Sequence, residues 1–316
     1  MSDRHVKGDN AMFEKYVICL NGDFVLWDQA TVHVMSHGVG RGSVIFEVVR
    51  YVHNGDRSVI FRLDEHIQRL FRSAGLLNLK LSQTPEDLYS AVIETVKRNS
   101  TREGFIKIVA FSSSISFDIL PPPEKLDVAI MVVDEADYLT TPRDGYENGS
   151  TLCISTWKKI EAAMVPVEAK VSANYLNGMM ARMEAKDRGF DYAVMLDSQG
   201  YVAEGGTESV FLVKDGTLVT PSLDAILPGI TRKSILELGR THGVPVLEGK
   251  VTSSMLLAAD ELFLSGTLKK ILPIRQIENR TIDGVPGPFT RRLAAWMNDV
   301  VAGRDEYFKD WLVQVR

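Results

Sequence analysis

Two cysteines, Cys19 and Cys153, are all the thiol chemistry in 316 residues. They are too few for a disulfide framework and fall in different halves of the chain, which points to a reducing compartment. No run approaches the ~18 consecutive apolar residues of a membrane span. The opening MSDRHVKGDNAMFEKY also lacks the apolar stretch of a secretory signal. A cytoplasmic protein without membrane contact is therefore expected. Positive charge is not in excess either: 36 Lys and Arg against 41 Asp and Glu leave a formal net charge of -5, no field for nucleic acid. No glycine-rich dinucleotide fingerprint follows a strand. The six histidines are scattered, and His33, His37 and His53, though close in sequence, lack ligand spacing, so no metal site is expected.

What is present is enough for two domains. The chain exceeds the ~100–200 residues of a typical single domain, and 45% of it is hydrophobic. YVICLNGDFVLWD reads as two strands around an Asn21-Gly22-Asp23 turn, and SVIFEVVRYV as a third before Asn54-Gly55. In LDEHIQRLFRSAGLLN, Ile67, Leu70, Phe71 and Ala74 share a helical face that leaves out Arg69 and Arg72. Thr84 and Pro85 start a second amphipathic helix, with Thr as N-cap and Pro at the first helical position. Strands at FIKIVAFS and LDVAIMVVD complete a first α+β domain over 1–136, and the polar segment 137–147 is the expected linker. The second domain, 148–316, offers strands at TLCISTW, DYAVMLD and SVFLV-KDG-TLVTP, with helices near 173–188, 231–242 and 288–302.

Lys170 stands out within VPVEAKVSANYLNGMMARMEAKDRG. It precedes a helix that Ser172 or Asn174 can cap, whose apolar positions include Leu176, Met179, Met180 and Met183, and which Gly189 can end. A helix N-terminus and burial both disfavour a cation, so both push this lysine toward a neutral amine able to act as nucleophile or base. A surface lysine paired with Glu168 is the plainer alternative. Three other segments bear on the choice. YVAEGGTESVF places Glu204 at a strand end before Gly205-Gly206, where backbone can approach a flat ligand. LPGITRKSILEL opens a helix at Thr231 after Gly229, with backbone N–H groups suited to phosphate. SGTLKK follows the strand ELFL and offers further small residues and amides. Each is also consistent with an ordinary turn or cap.

Taken together, NGDFVLWDQATVHVMSHGVGRGSVIFE, FRLDEHIQRL, AKVSANYL, YVAEGGTESVFLVKDG, LPGITRKSI, DELFLSGT and the tail DWLVQV resemble the class IV, fold-type IV pyridoxal-phosphate aminotransferases. The branched-chain branch is the nearest. The resemblance implies a two-domain α+β fold, with a smaller N-terminal α/β sandwich, a larger C-terminal pseudo-barrel and pyridoxal 5'-phosphate between them, in a homodimer. It implies that Lys170 is the Schiff-base lysine, Tyr175 bonds the cofactor's phenolic oxygen, and Glu204 partners the pyridinium nitrogen. By the same likeness Arg69 grips the phosphate, Ile230, Thr231 and Thr267 supply phosphate-binding amides and hydroxyls, and Leu227 packs against the ring. The reaction implied is ping-pong transamination from a branched-chain or related L-amino acid to 2-oxoglutarate. A lyase of the same fold, a D-amino-acid or amine transaminase, and a non-catalytic binding protein remain alternatives.

The pattern also departs from the family. Where branched-chain members carry Tyr and Arg on a first-domain strand to hold the substrate carboxylate, FIKI has Phe105 and Lys107, and Lys107 lacks a bidentate fork. Arg41 stands where an aromatic residue is usual, so it is expected to take over part of carboxylate recognition. Phe46 and Tyr138 are expected to line an apolar side-chain pocket, and Leu268, after Thr267, to narrow it.

Overall fold

The computed structural model describes residues 13–54, 57–99, 103–138 and 145–315. The chain divides into two compact units: one comprises Met1–Thr141, Ala169–Ala173 and Val301–Arg316, the other Pro142–Glu168 and Asn174–Val300. The division falls inside the expected linker, most of which (139–144) lies outside the described residues, as does Gly55 of the second Asn-Gly turn. Two segments assigned by sequence to the second domain, 169–173 and 301–316, group instead with the first.

The first unit is built on a seven-stranded sheet. Its strands are β1 (Val17–Leu20), β2 (Asp23–Leu26), β3 (Ile45–Asn54), β4 (Arg57–Phe61), β5 (Gly104–Phe111), β6 (Asp127–Asp134) and the C-terminal strand Leu312–Val315. The order is C-terminal strand–β4–β3–β5–β6–β1–β2, and every pairing is antiparallel. Asn21 and Gly22 take positive φ between β1 and β2, as a two-residue hairpin requires. Helices α1 (Leu63–Leu76) and α2 (Pro85–Asn99) supply the apolar cover: Val49, Tyr51, Leu63, Ile67, Leu70, Leu88, Ile106 and Ile130 share one core and are almost wholly buried. Burial of each such side chain stabilises by about 1.5–3 kcal/mol. The expected cap of α2 is present as a reciprocal pair, Asp87 N donating to Thr84 Oγ1 and Thr84 N to Asp87 Oδ2.

Hydrogen bonding explains why the two displaced segments belong here. The C-terminal strand extends the sheet at β4. Ahead of it, the Trp311 ring lies 3.6 Å beneath the Arg62 guanidinium, and Trp311 O accepts from Arg62 N. Residues 170–172 run antiparallel to the start of β3: Phe46 N donates to Lys170 O, Ser172 N to Val44 O, and Lys170 N to Ser73 Oγ on α1.

The second unit contains β7 (Ser150–Lys158), α3 (Tyr175–Asp187), β8 (Tyr192–Leu196), β9 (Val202–Gly205), β10 (Ser209–Lys214), β11 (Thr217–Pro221), α4 (Ile230–Thr241), β12 (Val246–Gly249), β13 (Glu261–Gly266), β14 (Lys270–Ile277) and α5 (Pro288–Val301). The sheet runs β12–β11–β10–β13–β14–β7–β8–β9, with Arg280–Thr281 also pairing β14. The edge strand β9 turns back into β10 through a tight turn in which Gly205 N donates to Glu208 O at 2.7 Å, so the sheet curls on itself. Lys214-Asp215-Gly216-Thr217 closes the β10–β11 hairpin with positive φ at both central residues.

Helix α3 differs from its sequence reading in two respects. Ser172–Asn174 forms a 3-10 turn running into it, and no side chain caps its start. The buried face consists of Gly178, Ala181 and Ala185, against β7 and β8, whereas Leu176, Met179 and Met183 are exposed. The reason is closeness. A Cβ on Gly178 would come within 2.2 Å of Gly206 O, so only small residues fit where helix and turn meet.

Candidate active site

In the first unit, the three backbone bonds just described fix Lys170 beside β3, each contributing about 0.5–1.5 kcal/mol. Its side chain is half-buried, and Nζ sits 4.7 Å from the centre of the Phe46 ring. Lys107 on β5 brings a second ammonium to the same ring at 5.7 Å, consistent with the β3–β5 register that places Val48 opposite Lys107. Phe46 thus collects two amines. Phe105 is buried, with the Arg50 guanidinium 4.7 Å over its ring, and Arg50 is itself paired with Glu135 at 2.9 Å.

Arg69 is not a solvated helix residue. It is 9% exposed and forms a bidentate pair with the fully buried Glu47, Nε to Oε1 and Nη2 to Oε2, both at 2.7 Å. His66 Nδ1 lies 2.7 Å from the same Oε2. Burial alone pushes Glu47 up, but the Arg69 charge and hydrogen bonds, with His66, overcome it and hold the carboxyl at about 2. Burial pushes His66 below its ordinary value, and the Arg69 and Lys170 charges act in the same direction against Glu47. Lys170 is therefore electrostatically linked to His66, the imidazole that shares Glu47 with Arg69.

Arg41 is exposed, and its guanidinium donates to the backbone carbonyls of Phe117 and Asp118 at 3.1 and 3.2 Å. Tyr138 ends a short helix, Glu135–Tyr138, and its side chain lies outside the described residues. His33 and His53 bond locally, His37 lies between Ser43 Oγ at 2.9 Å and Ile119 O at 3.3 Å, and no metal-binding cluster occurs among the described residues.

In the second unit, Glu204 lies on β9 just ahead of Gly205-Gly206, and its Oε1 is 2.6 Å from Lys159 Nζ, with side-chain exposures of 12% and 9%. The sequence reading assigned Glu204 no protein cation. Thr267 and Leu268 are half-buried in the loop between β13 and β14, where Gly266 pairs Lys270. Leu227 is half-buried shortly before Gly229, the N-cap of α4. Tyr175 is the first residue of α3.

The donor set around α4 fits a phosphate-bearing cofactor. No side chain caps the helix, so the first-turn N–H groups beyond Gly229 point out of its end with the positive macrodipole. A Cβ on Gly229 would lie 3.0 Å from Ser209 Oγ, and Ser265, directly across the β10–β13 ladder from Ser209, carries a buried hydroxyl without a partner among the described residues. Ile230 and Thr231, both buried, begin the helix. Hydroxyls and amides at a helix N-terminus suit a phosphate, and the largely enclosed carboxylate of Glu204 suits a ring N–H.

Three functional candidates escaped the sequence reading. Glu47 and His66 lie in quoted motifs, but their pairing with Arg69 is made across β3 and α1. Lys159 adjoins another lysine, Lys158, which is exposed, and only the end of β7 separates their directions.

The comparisons with known proteins agree with this architecture. The model of the amino-transferase class IV family matches residues 44–277. The branched-chain-amino-acid aminotransferase of Escherichia coli (strain K12) is 34% identical over 301 residues, covering 94% of this chain and 97% of that protein. The crystal structure of the branched-chain aminotransferase from Thermoproteus uzoniensis with norvaline matches with a TM-score of 0.90 and 36% identity, over 95% of this chain and 99% of that one. The branched-chain amino acid aminotransferase from Thermobaculum terrenum, in its PLP-form, matches with a TM-score of 0.89 and 30% identity, over 96% of this chain and 99% of that one. Fold and sequence together define a two-domain α+β transferase of fold-type IV. The chain belongs to the class IV aminotransferases and is similar to their branched-chain members.

Proposed function

We propose that this enzyme binds pyridoxal 5'-phosphate and moves an amino group, by a ping-pong cycle, from a branched-chain or related L-amino acid to 2-oxoglutarate. The observation that carries the reading is the full-length likeness to branched-chain aminotransferases combined with Lys170, half-buried against Phe46 in a backbone clamp. When bound, the cofactor supplies an aldehyde for a lysine amine and a ring that spreads the electron pair left at the substrate's α carbon. Lys170 would be the amine that holds the aldehyde, and as a free amine it would be the base that moves the α proton, work typically worth ~10²–10⁴-fold. Glu204 holds a proton on the ring nitrogen. Tyr175 bonds the phenolic oxygen, Leu227 packs on the ring, and Arg69, Ile230, Thr231 and Thr267 hold the phosphate, Arg69 with its fork steadied by Glu47.

The substrate carboxylate is assigned to Lys107 and Arg41, and the side-chain pocket to Phe46, Tyr138 and Leu268. A homodimer in the cytoplasm completes the proposal. Exposed apolar side chains support the dimer: Phe117, Ile119 and Leu120 in one unit, and Leu176, Met179 and Met183 in the other. No helix among the described residues is long and apolar enough to cross a membrane.

The substitution of Phe105, buried beneath Arg50 with no hydroxyl to offer, favours a second reading in which the donor is a D-amino acid or an amine. One screen tests both: L-, D- and non-α amines with 2-oxoglutarate or pyruvate as acceptor. Acceptor-dependent glutamate formation from L-valine, L-leucine or L-isoleucine supports the first reading. Release of pyruvate without any acceptor would instead identify a lyase.

A further inference from the structure

We infer that Lys159 is a positioning residue that orients Glu204, keeps it ionised, and moderates its pull on the cofactor's ring proton; the inference rests on the cofactor role proposed for Glu204. Lys159 follows β7 and is held by its own backbone N donating to Leu196 O at 2.9 Å. That places Nζ 2.6 Å from Glu204 Oε1, with both side chains about nine-tenths buried. A carboxylate so enclosed is costly without a partner. The ammonium supplies one before any cofactor arrives, and it fixes one oxygen of the carboxylate in space.

The same charge has an opposing effect. A cation beside Glu204 lowers the proton affinity of any base that Glu204 supports, so the ring nitrogen is less basic than a lone carboxylate would make it. Several other charged groups near the pair are engaged elsewhere. Lys159 also borders a cavity of about 420 Å³ whose lining includes Glu161, Asp197, Asp224 and Lys250. Asp197 Oδ1 accepts from Tyr201 N, Asp224 accepts from Ser222 Oγ, and Lys250 Nζ donates to Gln199 and lies over the Tyr201 ring. Across the β9–β10 turn, Glu208 accepts from Thr207 Oγ1 and faces Arg182 at 3.7 Å.

The test compares cofactor-loaded wild type with Lys159→Met and Lys159→Arg, titrating the visible absorption band against pH and measuring the Kd for pyridoxal 5'-phosphate. Removing the cation favours the positively charged form of the bound cofactor. Lys159→Met is therefore expected to raise the titration midpoint by about one pH unit, a roughly tenfold change in proton affinity, and Lys159→Arg to leave it within a few tenths. An unchanged midpoint in Lys159→Met, with only its melting temperature lowered, would overturn the inference and leave a structural ion pair. If Lys159→Met does not fold, Lys159→Gln carries the same comparison. Absence of any visible band in loaded wild type would overturn both this inference and the cofactor reading beneath it.

Discussion

Arg69 and Glu47 hold each other by two parallel hydrogen bonds of 2.7 Å in the core of the first unit, 22 residues apart in sequence. Removing one partner of a buried pair leaves an uncompensated charge, which typically costs ~3–5 kcal/mol. Glu47→Gln should lower stability by about that amount in denaturant unfolding. It should also weaken cofactor binding, because the guanidinium loses its fixed orientation. A Glu47→Gln protein with wild-type stability and wild-type cofactor Kd would show that the pair does neither.

Acid sensitivity follows from the same cluster. Glu47 is held at about 2, below its ordinary 4.5, so its contribution is present above the unfolded value and is lost as pH falls from about 4.5 toward 2. His66 is also depressed, so the unfolded chain takes up a proton that the native one refuses once pH drops below the ordinary 6.5. Both groups make the protein less stable in acid. Melting temperature should fall between pH 7 and 5, and His66→Gln should flatten that part of the profile.

Gly178 and Gly206 define a backbone contact that no side chain can share, since a Cβ at 178 would meet Gly206 O at 2.2 Å. Gly178→Ala should cost about 1–3 kcal/mol by overpacking. Because the displaced turn follows β9, which carries Glu204, cofactor affinity should fall as well, by roughly tenfold for a cost of 1.4 kcal/mol. Calorimetric melting of the apoprotein and cofactor titration separate the two effects.

Carboxylate recognition is predicted to depend on Lys107 and Arg41. Lys107→Ala should raise KM for amino acids with a smaller change in kcat, as expected when uniform binding is lost. Arg41→Ala should raise KM as well. Unchanged KM in Arg41→Ala would restrict that residue to bracing the carbonyls of Phe117 and Asp118.

Much of this architecture is legible in the sequence where local chemistry decides it. The Asn21-Gly22 turn, the Thr84–Asp87 cap and the Lys214–Thr217 hairpin each form from residues that suit only a few backbone shapes. The candidate residues Lys170, Glu204 and Thr231 stand out through the order of their motifs rather than through any single motif. What stayed hidden depends on distant packing. The methionine stripe of α3 reads as a buried face, but the helix comes so close to Gly206 that its glycine and alanines go inside. Arg69 reads as surface until Glu47, on a strand read separately, neutralises it. Neither composition nor period distinguishes Lys159 from Lys158, and only the position of Glu204 does so. The return of residues 169–173 and 301–316 to the first unit rests on backbone bonds to β3 and β4, which leave no mark in composition.

The proposed chemistry requires that Lys170 bond covalently to pyridoxal 5'-phosphate. Borohydride reduction of cofactor-loaded protein, followed by proteolysis and mass spectrometry, tests it directly. The expected result is a single phosphopyridoxyl-modified peptide containing Ala169-Lys170-Val171, with modification and turnover both abolished in Lys170→Ala. Modification at another lysine, or none at all in protein that has taken up the cofactor, would rule out Lys170 as the cofactor's lysine.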